Sequence, residues 1–232
     1  RFLSGNLENI HINECRNTPF LHFKPVGTKK ETEPYRLPEY NCFAGATSID
    51  VSVSPVGCPF DCRSLLQFPN IAHLNLSGNL INLAALKELK QIELLGLRYV
   101  PDLTDVPSLN TWKNLKSFIG CNVEENTGKV LKKELKDLAK ERELNYTSAS
   151  QLRKKIWFTT EYGIPFATWD GKNAKIATKA YKDTLEEIKE ALAEKGVNDS
   201  IIGWIETANR LPPIVTVERV DAVVAVNQLV DA

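Results

Sequence analysis

Between residues 46 and 125, apolar positions fall into short alternating runs separated by irregular, leucine-containing stretches. In FPNIAHLNLSGN, residues 68–79, Leu74 and Leu76 alternate with His73, Asn75 and Ser77. Successive side chains leave a strand on opposite sides, so this period of two predicts a strand with both leucines on one face. Ile71 lies three residues before Leu74 and Asn79 three after Leu76; neither an isolated strand nor an amphipathic helix requires that spacing. The frame recurs. Ile71-x-x-Leu74-x-Leu76-x-x-Asn79 superimposes on Leu89-x-x-Ile92-x-Leu94-x-x-Leu97 with an offset of 18. Leu115-x-x-Phe118-x-Gly120 follows Leu89 by 26, and Ile49-x-Val51 precedes Leu74-x-Leu76 by 25. Four units are predicted, with Leu74, Leu76, Ile92 and Leu94 buried together on adjacent parallel strands. No unit of this size buries its apolar side alone, and stacking supplies the missing cover.

The frame resembles that of leucine-rich repeat proteins. The resemblance implies a short solenoid of parallel strands joined by arcs, an Asn79 amide that satisfies backbone groups at the turn leaving its strand, and a strand face that binds other proteins. Two departures mark it as degenerate: Leu97 stands where a second asparagine is expected, and the offsets are uneven. It is closer in character to small bacterial repeat proteins than to receptor ectodomains. The strand frame predicts three outward rows: Ser48, His73, Gln91 and Ser117; Asp50, Asn75, Glu93 and Ile119; Ser52, Ser77, Leu95 and Cys121. Asp50, His73, Asn75, Ser77, Gln91, Glu93 and Leu95 are therefore the candidate binding residues. Asp50 and Glu93 make the centre mildly acidic, which suits a basic partner.

The flanks read differently. Residues 1–45 carry prolines and mixed charge and are expected to form an irregular leader that caps the stack, with a short strand at Asn9–Asn13. Residues 46–147 form the repeat-like domain. They include KVLKKELKDLAKERE, where Leu131, Leu135 and Leu138 mark a helical face. TSASQ, 147–151, reads as a linker, and residues 148–232 as a small C-terminal α/β or α+β unit. In that unit IWFTTEYGIPFATWDGKN is expected to be extended. A helix is expected over 174–195 on Tyr181, Leu185, Ile188 and Leu192, then a short one capped by Asn198 or Asp199, and another from Thr216. The fold class is α/β.

Composition narrows the function. Lys plus Arg and Asp plus Glu both number 29 in 232 residues, so no net charge draws the chain to nucleic acid or an anionic membrane. No apolar run approaches the ~20 residues that span a bilayer. The partner expected is another protein, with no nucleic acid and no membrane. The start, RFLSGNLENIHINEC, lacks the apolar core of a signal peptide, although a processed precursor would begin the same way. The chain holds no methionine. Its five cysteines, at 15, 42, 58, 62 and 121, are odd in number and widely spaced; reduced thiols and a cytoplasmic location are expected.

Candidate chemistry is sparse. Cys58 and Cys62 have no second ligand pair nearby for structural zinc. His11, His22 and His73 stand in no nucleophile signature, and no glycine cluster forms a phosphate loop. No cofactor, metal or catalytic residue is assigned. The reading is a non-enzymatic interaction module, of inhibitor or immunity type. The alternative is an enzyme whose site lies in residues 148–232, around Glu161, Tyr162 and Asp170, with the repeats as a targeting arm.

Overall fold

A computed structural model describes residues 1–10, 12, 18–26, 33–53, 56–160, 162, 164, 166, 169, 171–191, 194–211 and 216–230. The chain divides into two compact units, Arg1–Thr160 and Glu161–Ala232. The first is built on a seven-stranded sheet of β1 (Phe2–Gly5), β2 (Phe20–Pro25), β3 (Ser48–Ser52), β5 (His73–Ser77), β7 (Leu94–Arg98), β8 (Ser117–Cys121) and β9 (Tyr146–Ser150), in that order. Every pairing is parallel. β4 (Pro59–Asp61) and β6 (Asn79–Ile81) form a separate parallel pair between the main strands. The returns pass through short 3-10 turns at Cys62–Gln67, Leu83–Glu88 and Leu109–Thr111.

Register aligns the inward side chains. Ile49, Leu74, Leu95 and Phe118 form one row and Val51, Leu76 and Leu97 the next, each no more than 2% exposed. The turns close over them with Leu65, Phe68, Leu86 and Trp112. Helix α1 (Glu125–Glu141) adds Leu131, Leu135 and Leu138, as its spacing predicts. Its start is fixed by Glu124, whose carboxylate accepts from the Asn126 and Thr127 amides at 2.9 Å.

Three expectations for this unit change. The leader is no irregular cap: β1 and β2 extend the sheet, and Leu7, Leu21 and Phe23 are fully buried. Of the strand expected at Asn9–Asn13, Asn9 ends a 3-10 turn, while His11 and Asn13 lie outside the described residues. The expected linker is β9, paired to β8. The offset from β5 to β7 is 21 residues, not 18: Leu74 pairs with Leu95 and Leu76 with Leu97. Leu94 therefore lies beside His73 on the outward side, half-exposed, while Ile92 is buried ahead of the strand. The reason is local. Continuing the 18-residue frame inward along β7 would bury Arg98, and an unpaired buried charge is costly. The 21-residue frame buries two leucines.

A buried carboxylate ties the turns together. Asp61, with no exposed side-chain surface, caps the Cys62–Gln67 turn by accepting from the Arg63 amide at 3.0 Å. It also pairs with Arg63 Nη2 at 2.6 Å and Arg36 Nε at 3.0 Å and accepts from Asn82 Nδ2 at 3.0 Å. Burial pushes this carboxyl up, but the hydrogen bonds from Arg63 and Asn82 outweigh it and hold it at about 2, below the ordinary 3.8. A depressed folded-state pKa contributes stability that is full above the unfolded value and is lost as pH falls through the folded one. Urea unfolding should show the wild type losing about 2 kcal/mol from this group between pH 4 and pH 2. Asp61→Asn should remove that slope, and equal pH dependence in the two proteins would refute the assignment.

In the second unit all regular structure among the described residues is helical: α3 (Gly171–Glu190), α4 (Glu194–Asn209) and α5 (Thr216–Val230). The extended segment expected from residue 156 onward begins instead as α2 (Lys155–Thr160), at the end of the first unit. Glu161 and Asp170 lie outside the described residues, as does Leu192. The helix expected from Thr216 starts there. Phe166, Trp169, Tyr181, Trp204 and Leu229 form the core. Trp169 Nε1 donates to Asp221 at 3.1 Å, and the Tyr181 hydroxyl to Gln228 Oε1 at 2.8 Å. Among the described residues no helix is long and apolar enough to cross a membrane.

Candidate binding face

The outward side of the seven-stranded sheet carries the candidate site. Because the strands stay in register, its side chains fall into rows. One runs Phe20, Ser48, His73, Leu94, Ser117 and Tyr146. The next runs from Phe2 through His22, Asp50 and Asn75 to Gly96 and Ile119. In the third, Ser52, Ser77, Arg98 and Cys121 align, with Lys24 beside Ser4 on the first strands.

Four expected residues share this face: Asp50, His73, Asn75 and Ser77. Asn75 Nδ2 donates to Asp50 Oδ1 at 2.7 Å across the strand boundary. The same carboxamide lies over β7, where a Cβ at Gly96 would collide with Asn75 Oδ1. Gly96 thus leaves the space that lets Asn75 reach Asp50. The other three are displaced by the change of offset. Leu95 is in the core with no exposed surface. Gln91 is exposed in the turn before β7. Glu93 also precedes β7 and pairs with Lys116 at 2.8 Å, which holds its carboxyl below the ordinary range. The acidic centre is reduced to Asp50, and Lys24 and Arg98 sit in the adjacent row.

Residues that the sequence reading placed elsewhere complete the face. Phe2, Phe20 and Tyr146 are 61%, 47% and 57% exposed, two at one edge of the sheet and one at the other. His22 stands edge-on to Phe2 at 4.9 Å with Nε2 3.3 Å from Ser52 Oγ. Burial pushes its pKa down, only partly opposed by Asp50, so the ring is neutral at neutral pH. The alternation of Leu21 and Phe23 around His22 was the available signal for β2.

The turns leaving the strands share a conformation. Gly78, Tyr99, Asn122 and Gln151 immediately follow β5, β7, β8 and β9, and all have positive φ, at 121°, 55°, 53° and 49°. Three are not glycine, so left-handed backbone is imposed there against its ordinary cost. The Asn79 amide donates to the Gly57 carbonyl at 3.1 Å, a backbone acceptor in the preceding turn.

The thiols divide by environment. Cys42 is disulfide-bonded, against the expectation of reduced cysteines throughout. Cys62 is fully buried, which pushes its thiol up, while Cys58 and Cys121 are half-buried and outside any disulfide. Among the described residues no three His, Cys, Asp or Glu side chains converge as metal ligands. Tyr162 is half-buried, and burial raises its phenol. Compared with known proteins, the chain matches no family model, no curated protein and no solved structure.

Proposed function

We propose that residues 1–160 are a degenerate leucine-rich-repeat-like solenoid whose outward strand face binds another protein. The observation that carries this reading is the set of exposed aromatics, Phe2, Phe20 and Tyr146, on the same sheet face as a preorganised polar centre. Aromatic anchors supply much of the energy of protein interfaces, and fixed polar groups supply register. The partner's chemistry follows from the rows. A donor suits Asp50, acidic groups suit Lys24 and Arg98, and apolar surface suits the phenylalanines. The basic partner expected from the sequence depended on Glu93, which is already paired with Lys116. An inhibitor or immunity-type role is a narrower form of the same reading, supported by the repeat resemblance alone. The Cys42 disulfide favours an oxidising compartment over the cytoplasm.

Affinity purification with cross-linking identifies the partner, and binding is then measured on variants. Replacing Phe2, Phe20 and Tyr146 together by alanine should weaken binding by about thirtyfold or more, the range of a lost hot spot. The melting temperature should stay near wild type, because these rings are exposed. Unchanged affinity in the triple variant, or cross-links confined to residues 161–232, would place the interaction elsewhere.

A further inference from the structure

The outward row nearest the exits of the strands differs from the other two in its charge. It runs through Ser52, Ser77, Arg98, Cys121 and Ser150. Phe23 pairs with Val51, so the residue that follows it, Lys24, continues the row beside Ser52, with Ser4 beyond. Two cations therefore stand among hydroxyls and a thiol, with no carboxylate in the row. Neither is compensated: among the described residues Lys24 and Arg98 make no ion pair. Arg98 is half-buried, and its Nε is fully buried with no hydrogen-bond partner. Buried guanidinium nitrogens are ordinarily paired, and a charge drawn part-way out of water without a counter-charge is costly. Burial fixes the base of this guanidinium against the sheet and leaves its charge to an acceptor from outside. Asp50, the carboxylate of the neighbouring row, is already turned onto Asn75 Nδ2 at 2.7 Å.

We infer that this row takes an extended acidic segment of the protein partner, lying across the strands with one carboxylate on Arg98 and a second, four residues away, on Lys24. The inference rests on the protein-binding reading of the face and specifies the partner's chemistry. Spacing selects the segment. Lys24 on β2 and Arg98 on β7 are separated by β3 and β5, so they stand three strand spacings apart, about 14 Å. An extended chain advances about 3.3 Å per residue, and its side chains at i and i+4 leave on the same side about 13 Å apart. Between the cations, the Ser52 and Ser77 hydroxyls can donate to carbonyls of the segment's backbone. The Arg98 fork matches a carboxylate with paired N–H groups, whereas Lys24 acts as a point charge. A nucleic-acid strand carries a longer run of charge than two cations neutralise.

The probes are short threonine-rich peptides with two glutamates at i,i+4 or at i,i+3, labelled with fluorescein and titrated with the full chain at low ionic strength. A labelled oligothymidylate of similar length is the control. Saturable binding of the i,i+4 peptide is expected, about fivefold or more tighter than that of the i,i+3 peptide, whose glutamates leave an extended chain on opposite sides. Arg98→Gln should weaken it about tenfold or more, the worth of hydrogen bonds to a charged group. Lys24→Gln should weaken it about threefold, as for an exposed ion pair. Neither variant should lower the melting temperature, because neither side chain has an ion-pair partner to lose. No saturable binding, equal affinity for the two spacings, tighter binding of the oligonucleotide, or undiminished affinity in Arg98→Gln would overturn the inference. The two variants are then compared with the aromatic triple variant on the captured partner. Weakening by the triple variant alone would overturn the acidic segment and leave the face as the binding surface. Weakening by none of the three would overturn the protein-binding reading itself.

Discussion

Leu95→Asp should unfold the first unit, whereas Leu94→Asp, one residue earlier, should leave it folded. Leu95 has no exposed surface and lies between Leu74 and Phe118 in the stacked register. A carboxylate there has no cation to pair with, and an uncompensated buried charge costs several kcal/mol. That is a large part of the roughly 5–15 kcal/mol by which domains are stable. Leu94 faces the other way, half-exposed between His73 and Ser117. A change there should fall within about 1 kcal/mol. Circular dichroism with urea titration distinguishes the two variants. The pair is diagnostic because the sequence frame with its offset of 18 assigns the opposite orientations. A folded Leu95→Asp variant beside an unfolded Leu94→Asp variant would restore that frame.

The second large effect is expected at Trp112. Its ring is fully buried, and its Nε1 donates to the Leu86 carbonyl at 3.3 Å, linking two successive turns of the stack. Its own carbonyl, with that of Lys113, accepts from Arg142 Nη1 at 3.0 and 2.7 Å, which anchors the end of α1. Trp112→Ala removes the largest fully buried side chain in the protein and should cost about 3–5 kcal/mol. For a unit of this size the melting temperature should fall on the order of 10 °C. Trp112→Phe separates packing from bonding. It keeps most of the apolar volume and removes the indole hydrogen bond, worth about 1 kcal/mol, while the Leu86 carbonyl still accepts from the Leu89 amide at 3.1 Å. If alanine and phenylalanine cost the same, the ring's volume is not what holds the turns together.

Legibility in the sequence followed the clarity of local alternation. β3, β5 and β8 have unbroken inward–outward patterns, and there the outward residues Asp50, His73, Asn75 and Ser77 were identified correctly. The stretch from Leu89 to Leu97 supports two frames because it holds leucine or isoleucine at 89, 92, 94, 95 and 97. What decides between them is the disposition of Gly96 and Arg98, which depends on the neighbouring strand. Glu93 and Leu95 were misplaced for that reason. β1 has only four residues, and residues 6–19 separate it from β2 in the chain, so their pairing emerges only when β3 offers an edge. The residues IWFTT at 156–160 have strand-forming composition yet lie in α2, as weak β propensity yields to context. The exposure of Phe2, Phe20 and Tyr146 depends on where the sheet ends.

The order of the sheet follows the order of the chain, and each main strand bonds only to the nearest main strands in sequence. Paired residues lie between 20 apart, as for Phe2 and His22, and 29 apart, as for Ser117 and Tyr146. No pairing joins the two ends of the unit, so closing the sheet never requires a loop as long as the unit itself. Opening is correspondingly graded. β1 and β9 each have one bonded neighbour and can detach singly, whereas β5 is released only after a flank has gone. Amide protection should therefore decline outward from the middle of the sheet, giving the face a slow-exchanging polar centre between faster-exchanging aromatic margins.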